Sequence, residues 1–280
     1  MEAKVDRSEA RKVIEERKRK ISEVMREIRY KIGVISGKGG VGKSMVTANL
    51  AVALALKKYK VGIVDSDYHG PSIPKMLGVE DGKVYVTADK KLVPVEGPLG
   101  IKIMSIFFFL PDPTTAVVWR GPMKFHFMQE ILSSTLFGEL DFLLFDLPPG
   151  TGDEAINLVQ SVPDLTGLIA VTQPTEVSAL AVAKAIDFAI KANVRVLGVI
   201  ENMSYFICPK CGSKYTILSG NGGEYLSRKY GVPLLGKIPI EPRIAESGDS
   251  GYSILIQDPK SKFSEIFMDI VNKILREIGE

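Results

Sequence analysis

The chain of 280 residues is 45% hydrophobic and 25% charged, the balance of a globular protein with enough apolar material for one large core. Its net charge is only +3, with acids and bases interleaved, so no cationic stripe marks a nucleic-acid surface. No apolar run reaches membrane-spanning length, and the two cysteines, Cys208 and Cys211, do not look like a disulfide framework.

Residues 1–29 are densely charged and lack the apolar centre of a signal peptide, so a cytoplasmic location without membrane attachment is expected. Within them, Ala10, Ile14, Ile21, Val24, Met25 and Ile28 fall at helical spacing, with Glu15 and Arg19 at pairing distance. Residues 1–30 therefore read as a charged leading helix, packed by one stripe and set apart from a main domain over 31–280. Short runs that are apolar at consecutive positions predict strands over 32–36, 61–65, 101–106, 142–146, 168–171, 194–200 and 234–238. Such runs belong to strands covered on both faces, hence to a mainly parallel sheet. Helical patterns between them, over 43–56, 123–136, 154–162, 176–191, 222–230 and 262–278, predict an α/β doubly wound fold with helices on both faces. Residues 83–95 break the alternation and predict a small β-hairpin inserted at a sheet edge.

In such folds the first strand-to-helix loop is the usual phosphate site. Here that loop is Gly37-Lys38-Gly39-Gly40-Val41-Gly42-Lys43-Ser44, followed by Met45 and a helical stretch. Its glycines allow backbone N–H groups to turn inward around phosphates, Lys43 would neutralise the β and γ phosphates, and Ser44 would place its hydroxyl on Mg2+. The pattern in this context predicts ATP binding and Mg2+-dependent hydrolysis. Asp65 and Asp67 follow the second strand, and Asp146 ends the fourth. Strand-end carboxylates can hold Mg2+ or orient water, although each alone could equally cap a turn. Beside a P-loop we assign Asp146 as the principal Mg2+ carboxylate, Asp65 as a second one near the metal, and Asp67 as the water-positioning group. Lys38 is an extra lysine whose own chemistry reads as a solvated loop residue.

Cys208 and Cys211 form a Cys-Pro-x-Cys pair on a loop near 203–215, with Gly212 permitting a tight turn. Two thiolates are half of a tetrahedral site, so a second copy of the chain is the economical source of the other pair; the plain alternative is a reduced or redox-active thiol pair. Spacing alone serves zinc and iron-sulfur equally.

The loop 37–44 resembles the deviant Walker A loop of the MinD, ParA and nitrogenase-iron-protein class. Asp65-Ser66-Asp67-Tyr68-His69-Gly70-Pro71, residues 146–153, and Glu201-Asn202-Met203-Ser204-Tyr205 leading into Cys208-Pro209-Lys210-Cys211 are similar to the Mrp/Nbp (ApbC-like) iron-sulfur cluster carrier ATPases, as are 231–239 and 246–251. The sequence departs at Met45, where that family commonly has threonine, and lacks the N-terminal cysteine cluster of eukaryotic members. The resemblance implies that Lys38 reaches across a homodimer to the partner's nucleotide, that Asn202 reads adenine, and that Pro239 flanks the base. It implies a [4Fe-4S] cluster bridging the dimer, with zinc as the other possibility, and apo iron-sulfur proteins as clients.

His69, His126 and Trp119 have no convergent partners in sequence and read as structural; Phe107-Phe108-Phe109-Leu110 reads as a strand end and core, or else dimer surface. A positioning ATPase that dimerises on a membrane or DNA is the rival, but residues 262–278 carry no cationic excess. A small-molecule kinase would need an acceptor motif that is not announced.

Overall fold

The computed structural model describes residues 7–112, 114–115, 118–150 and 153–280. In chain order, α1 (Arg7–Arg26) runs into β1 (Ile28–Ser36), α2 (Lys43–Leu56), β2 (Val61–Asp65) and a short α3 (Ile73–Met76). Three two-residue strands, β3 (Tyr85–Val86), β4 (Leu92–Val93) and β5 (Val95–Glu96), precede β6 (Lys102–Ser105), α4 (Gly121–Ser134), β7 (Leu140–Asp146) and α5 (Asp153–Ser161). Next come β8 (Gly167–Thr172), α6 (Glu176–Lys191), β9 (Val196–Glu201), β10 (Phe206–Ile207) and β11 (Lys214–Tyr215). The last elements are α7 (Gly222–Tyr230), β12 (Leu234–Lys237), α8 (Pro242–Ser250), α9 (Ile254–Gln257) and α10 (Lys262–Ile278).

The described residues form an eight-stranded sheet in the order β12-β9-β8-β1-β7-β2-β6-β5, parallel throughout except for β5. Side chains alternate along each strand, so every central strand feeds two apolar layers. Ile32, Val34, Phe142 and Leu144 pack with α2, α9 and α10 on one face. On the other face Ile35, Leu143 and Phe145 pack with α1, α4, α5, α6 and α7. The doubly wound expectation is met, and each predicted strand is present within a few residues.

Three expectations need adjustment. The leading helix packs by its stripe as expected, with Ile21 and Met25 buried in the second layer, but β1 begins at Ile28, paired with Leu140, so an edge at residue 30 falls inside a strand. Buried Lys31 donates through Nζ to the Met25 and Ile28 carbonyls at 3.3 and 3.0 Å, tying the helix end to the strand. Pairing β3 with β4 makes a separate two-stranded sheet; β5 is what edges the main sheet. Pro94 lies between β4 and β5, and its missing N–H breaks the ladder there. Finally, residues 106–109 form a 3-10 turn rather than a strand end, with the Phe107 N–H donating to Ser105 Oγ at 3.2 Å and Phe109 exposed.

Candidate functional site

The carboxyl ends of β1, β2 and β7 lie side by side, with Asp65 directly opposite Asp146 in the β2–β7 register. The loop after β1 then turns into α2 through Gly42 at φ 82°, a left-handed conformation that glycine takes without strain. A side chain there would also collide, since a Cβ on Gly42 would lie 2.2 Å from Asn202 Nδ2. Gly37 is needed for a different reason: its Cβ would meet the α6 backbone at Ala181, 2.2 Å away.

At the centre of the site the Asp146 carboxylate is fully buried and saturated with donors. Lys43 Nζ lies 2.7 Å from Oδ1, Ser44 Oγ donates to Oδ2 at 2.6 Å, and Thr47 Oγ1 donates to Oδ1 at 2.7 Å. Asp65 is equally buried; it accepts from Ser105 Oγ at 3.0 Å and from the Asp67 N–H at 3.2 Å. Burial first, and then the negative charge of Asp146, push its carboxyl up to about 8, against an opposing pull from Lys43. Two carboxylates and a serine hydroxyl are hard oxygen donors of the kind Mg2+ takes, and the Lys43 ammonium on Asp146 shows that a cation is welcome at this carboxylate. The residues present therefore fit that ion.

Asp67 accepts from the His69 and Gly70 N–H groups at 3.3 and 3.2 Å, which holds its carboxylate in an Asx-type turn. It faces a cavity of about 190 Å³ lined also by Lys38, Lys43, Ser44 and Pro149. Lys38 is half-buried, and among the described residues its ammonium makes no ion pair. Of the neighbouring acidic loop, Thr151 and Gly152 lie outside the described residues.

A larger cleft of about 430 Å³ continues from this cavity past Gly42 and Met45, walled by Met76, Asn202, Met203 and Pro239. It is mainly apolar and of a size for a nucleobase. Asn202, at the end of β9, donates from Nδ2 to the Val41 carbonyl at 2.8 Å, which leaves Oδ1 as the acceptor. Asn202 and Pro239 thus stand with the phosphate loop in space, far from it in sequence. Sequence reasoning did not single out Thr47, or Gln173, whose Nε2 reaches the Gly40 carbonyl at 3.3 Å and Met203 sulfur at 3.1 Å. A hydroxyl within the apolar run of α2 was the available signal for Thr47.

Cys208 and Cys211 are free thiols at the tip of the β10–β11 hairpin, Cys208 half-buried and Cys211 exposed. The turn is closed by Cys208 N–H to Ser213 O at 2.9 Å and Gly212 N–H to Cys208 O at 2.8 Å, with Gly212 at φ 70°. A hydrogen bond with the Ser213 hydroxyl, 3.2 Å from Sγ, holds the Cys211 thiol below its ordinary pKa. Among the described residues no group of three or more His, Cys, Asp or Glu converges as a metal site. The hairpin is fastened to the base cleft, because Ile240 N–H donates to Tyr205 O at 2.6 Å and Ser204 N–H to Ile238 O at 2.9 Å.

The remaining candidates have structural partners: His69 Nε2 contacts Lys124 Nζ at 2.8 Å, His126 Nδ1 contacts Arg17 Nη1 at 2.9 Å, and Trp119 stacks edge-on against Phe127 at 5.1 Å. No described helix is long and apolar enough to cross a membrane. The apolar stripe of α10, including Phe263, Phe267 and Ile270, is packed into the core.

Comparison with known proteins agrees with this geometry. A family profile described as ParA, NUBPL iron-transfer P-loop NTPase, matches residues 27–275. An iron-sulfur cluster carrier protein of Saccharolobus solfataricus is 50% identical over 92% of this chain and 86% of its own length. One of the same name from Methanocaldococcus jannaschii is 45% identical over 96% and 92%. Among solved structures, a nucleotide-binding protein of Archaeoglobus fulgidus in complex with ADP superposes with a TM-score of 0.77, at 40% identity over 89% of this chain and 96% of its own. The septum site-determining protein MinD of Pyrococcus horikoshii, complexed with Mg-ADP, gives 0.64 at 25% identity over 90% and 98%.

Proposed function

This chain belongs to the NUBPL-type iron-transfer family of P-loop NTPases, and on that footing we propose that it is an ATP-hydrolysing iron-sulfur cluster carrier that holds its cargo between two copies. The observation that carries the reading is the hydrogen-bonded connection between the cysteine hairpin and the wall of the base cleft, beside a complete phosphate loop.

ATP would lie with its base between Asn202 and Pro239 and its phosphates over residues 37–45. Lys43 then moves its ammonium from Asp146 to the β and γ phosphates. The Ser44 hydroxyl, with Asp146 and Asp65 near it, would hold Mg2+, which when bound would supply positive charge against the phosphate oxygens. Asp67 orients a water for in-line attack on the γ phosphorus, which breaks the bond to the ADP oxygen. Lys38, without an ion pair among the described residues, is available to the nucleotide of a second copy as charge builds in the transition state. Loss of the γ phosphate changes what the Asp67 loop can contact, giving two states of the assembly.

Cys208 and Cys211 supply two thiolates, and the two-fold-related pair completes four. A four-iron cluster so held is cargo, exposed enough to be passed to apo iron-sulfur proteins in the cytoplasm. Reconstitution without oxygen, followed by iron, sulfide and zinc analysis and size exclusion, tests this. The expected result is one cluster per dimer in the wild type and none in Cys208→Ser. A wild type that takes up no metal, or a full cluster on a strict monomer, would overturn it.

A further inference from the structure

In the proposed nucleotide complex the Lys43 ammonium turns toward the β and γ phosphates, and its hold on Asp146 loosens. When it moves to phosphate, Asp146 Oδ1 loses a charged partner 2.7 Å away in a fully buried setting. A carboxylate oxygen so exposed to desolvation would rotate toward any other donor, and Oδ2 would lose its aim at Ser44. One donor to Oδ1 stays behind: Thr47 Oγ1, at 2.7 Å. We infer that Thr47 is a positioning residue for Mg2+ binding, holding the Asp146 carboxylate in register with Ser44 after Lys43 has left.

The surroundings of Thr47 support this role. It is completely buried between Val46 and Ala48, on a helix whose residues from Val46 to Leu56 are otherwise apolar apart from Asn49. A buried β-branched hydroxyl there is tolerated only with a partner, and valine would fill the same volume without that demand. Its hydroxyl also lies 3.1 Å from the Lys43 carbonyl, the ordinary back-bond of a helical threonine, but the single proton is nearer the carboxylate. Ser44 and Thr47 are three residues apart on the first turn of α2, so both hydroxyls face the end of β7 and grip opposite oxygens of one carboxylate. Thr47, unlike Lys43 and Ser44, does not line the phosphate cavity, and it reaches the site through Asp146.

The inference rests on the Mg2+-nucleotide reading of the site, and binding measurements separate the two. The affinity for fluorescently labelled ADP is measured in excess Mg2+ and in EDTA for the wild type, Thr47→Val and Thr47→Ser. The ratio of the two affinities should fall about 10-fold in Thr47→Val, as for loss of a group that orients a metal ligand, with the EDTA value unchanged. Thr47→Ser, which keeps the hydroxyl, should restore it. A purely structural threonine would lower thermal stability and leave the ratio alone, and a wild-type ratio in Thr47→Val overturns the inference. If Thr47→Val also loses binding in EDTA, Thr47→Ala is compared with Thr47→Ser and the same ratio decides. A wild-type ratio near one would instead remove the Mg2+ reading itself, and this inference with it.

Discussion

Lys43 and Asp65 show how the same burial that shapes the site also loads it. In the nucleotide-free chain Lys43 neutralises a carboxylate with no access to water. Lys43→Ala should therefore lower stability by about 3 kcal/mol, because it strands a buried charge, and also cut ATP hydrolysis by about 100-fold or more. Denaturant titration and Mg2+-dependent phosphate release measure the two effects; wild-type hydrolysis would sink the assignment of the loop. Asp65 behaves in the opposite sense. Its proton is held to about 8 in the folded chain but released near the ordinary carboxylate range, about 4, on unfolding. Between those values the folded state binds the extra proton, so this group's contribution to nucleotide-free stability is full below about pH 4 and is lost as pH rises toward 8. Melting temperatures of the wild type should fall relative to Asp65→Asn between about pH 4 and pH 8, and parallel curves would contradict the shift.

At the scale of elements, two connections carry the consequences. The cysteine hairpin hangs on the segment that runs from Asn202 past Tyr205 and is bridged to Ile240 at the wall of the base cleft. Filling the cleft should therefore stiffen the hairpin. Iodoacetamide alkylation of Cys208 and Cys211, followed by mass spectrometry, should slow when ADP saturates the protein, and equal rates with and without ADP would show that the two sites are uncoupled. The other connection is α1. Its stripe packs on the domain as its sequence predicts, and Met25 on that stripe is buried against the second apolar layer. Met25→Ala should destabilise the whole domain by about 2–5 kcal/mol in urea, the cost of a core cavity, whereas a merely appended helix would show about 0.5 kcal/mol or less.

For the molecule as a whole, the decisive question is what a second copy adds. Lys38 lines the phosphate cavity without an ion pair among the described residues, and Cys208 and Cys211 are free thiols that would provide half of the proposed metal site. In the proposed assembly a second chain completes both features. Lys38→Ala should bind ATP with near wild-type affinity and lose hydrolysis, since in the proposed dimer its charge acts in the transition state of the partner's site. Mixing it with Lys43→Ala should restore part of the activity, because the mixed dimer keeps one site with an intact Lys43 and an incoming Lys38. No restoration over a range of ratios would place Lys38 in its own site or in none.

The phosphate loop, the alternation of buried strands and helices, and the acidic strand ends were legible in the sequence because each depends on neighbours. Glycine spacing, apolar period and strand length are local properties, and parallel strands necessarily gather their carboxyl ends on one edge. What the tertiary structure decided is which distant segments meet there. Asn202 reaches Val41 across 161 positions, and Thr47 reaches Asp146 across 99, because β1 sits between β7 and β8 in the sheet. That strand order follows from packing two apolar layers against one sheet, a global balance that no short window of residues contains. The separation of β5 from its hairpin was settled by the same packing.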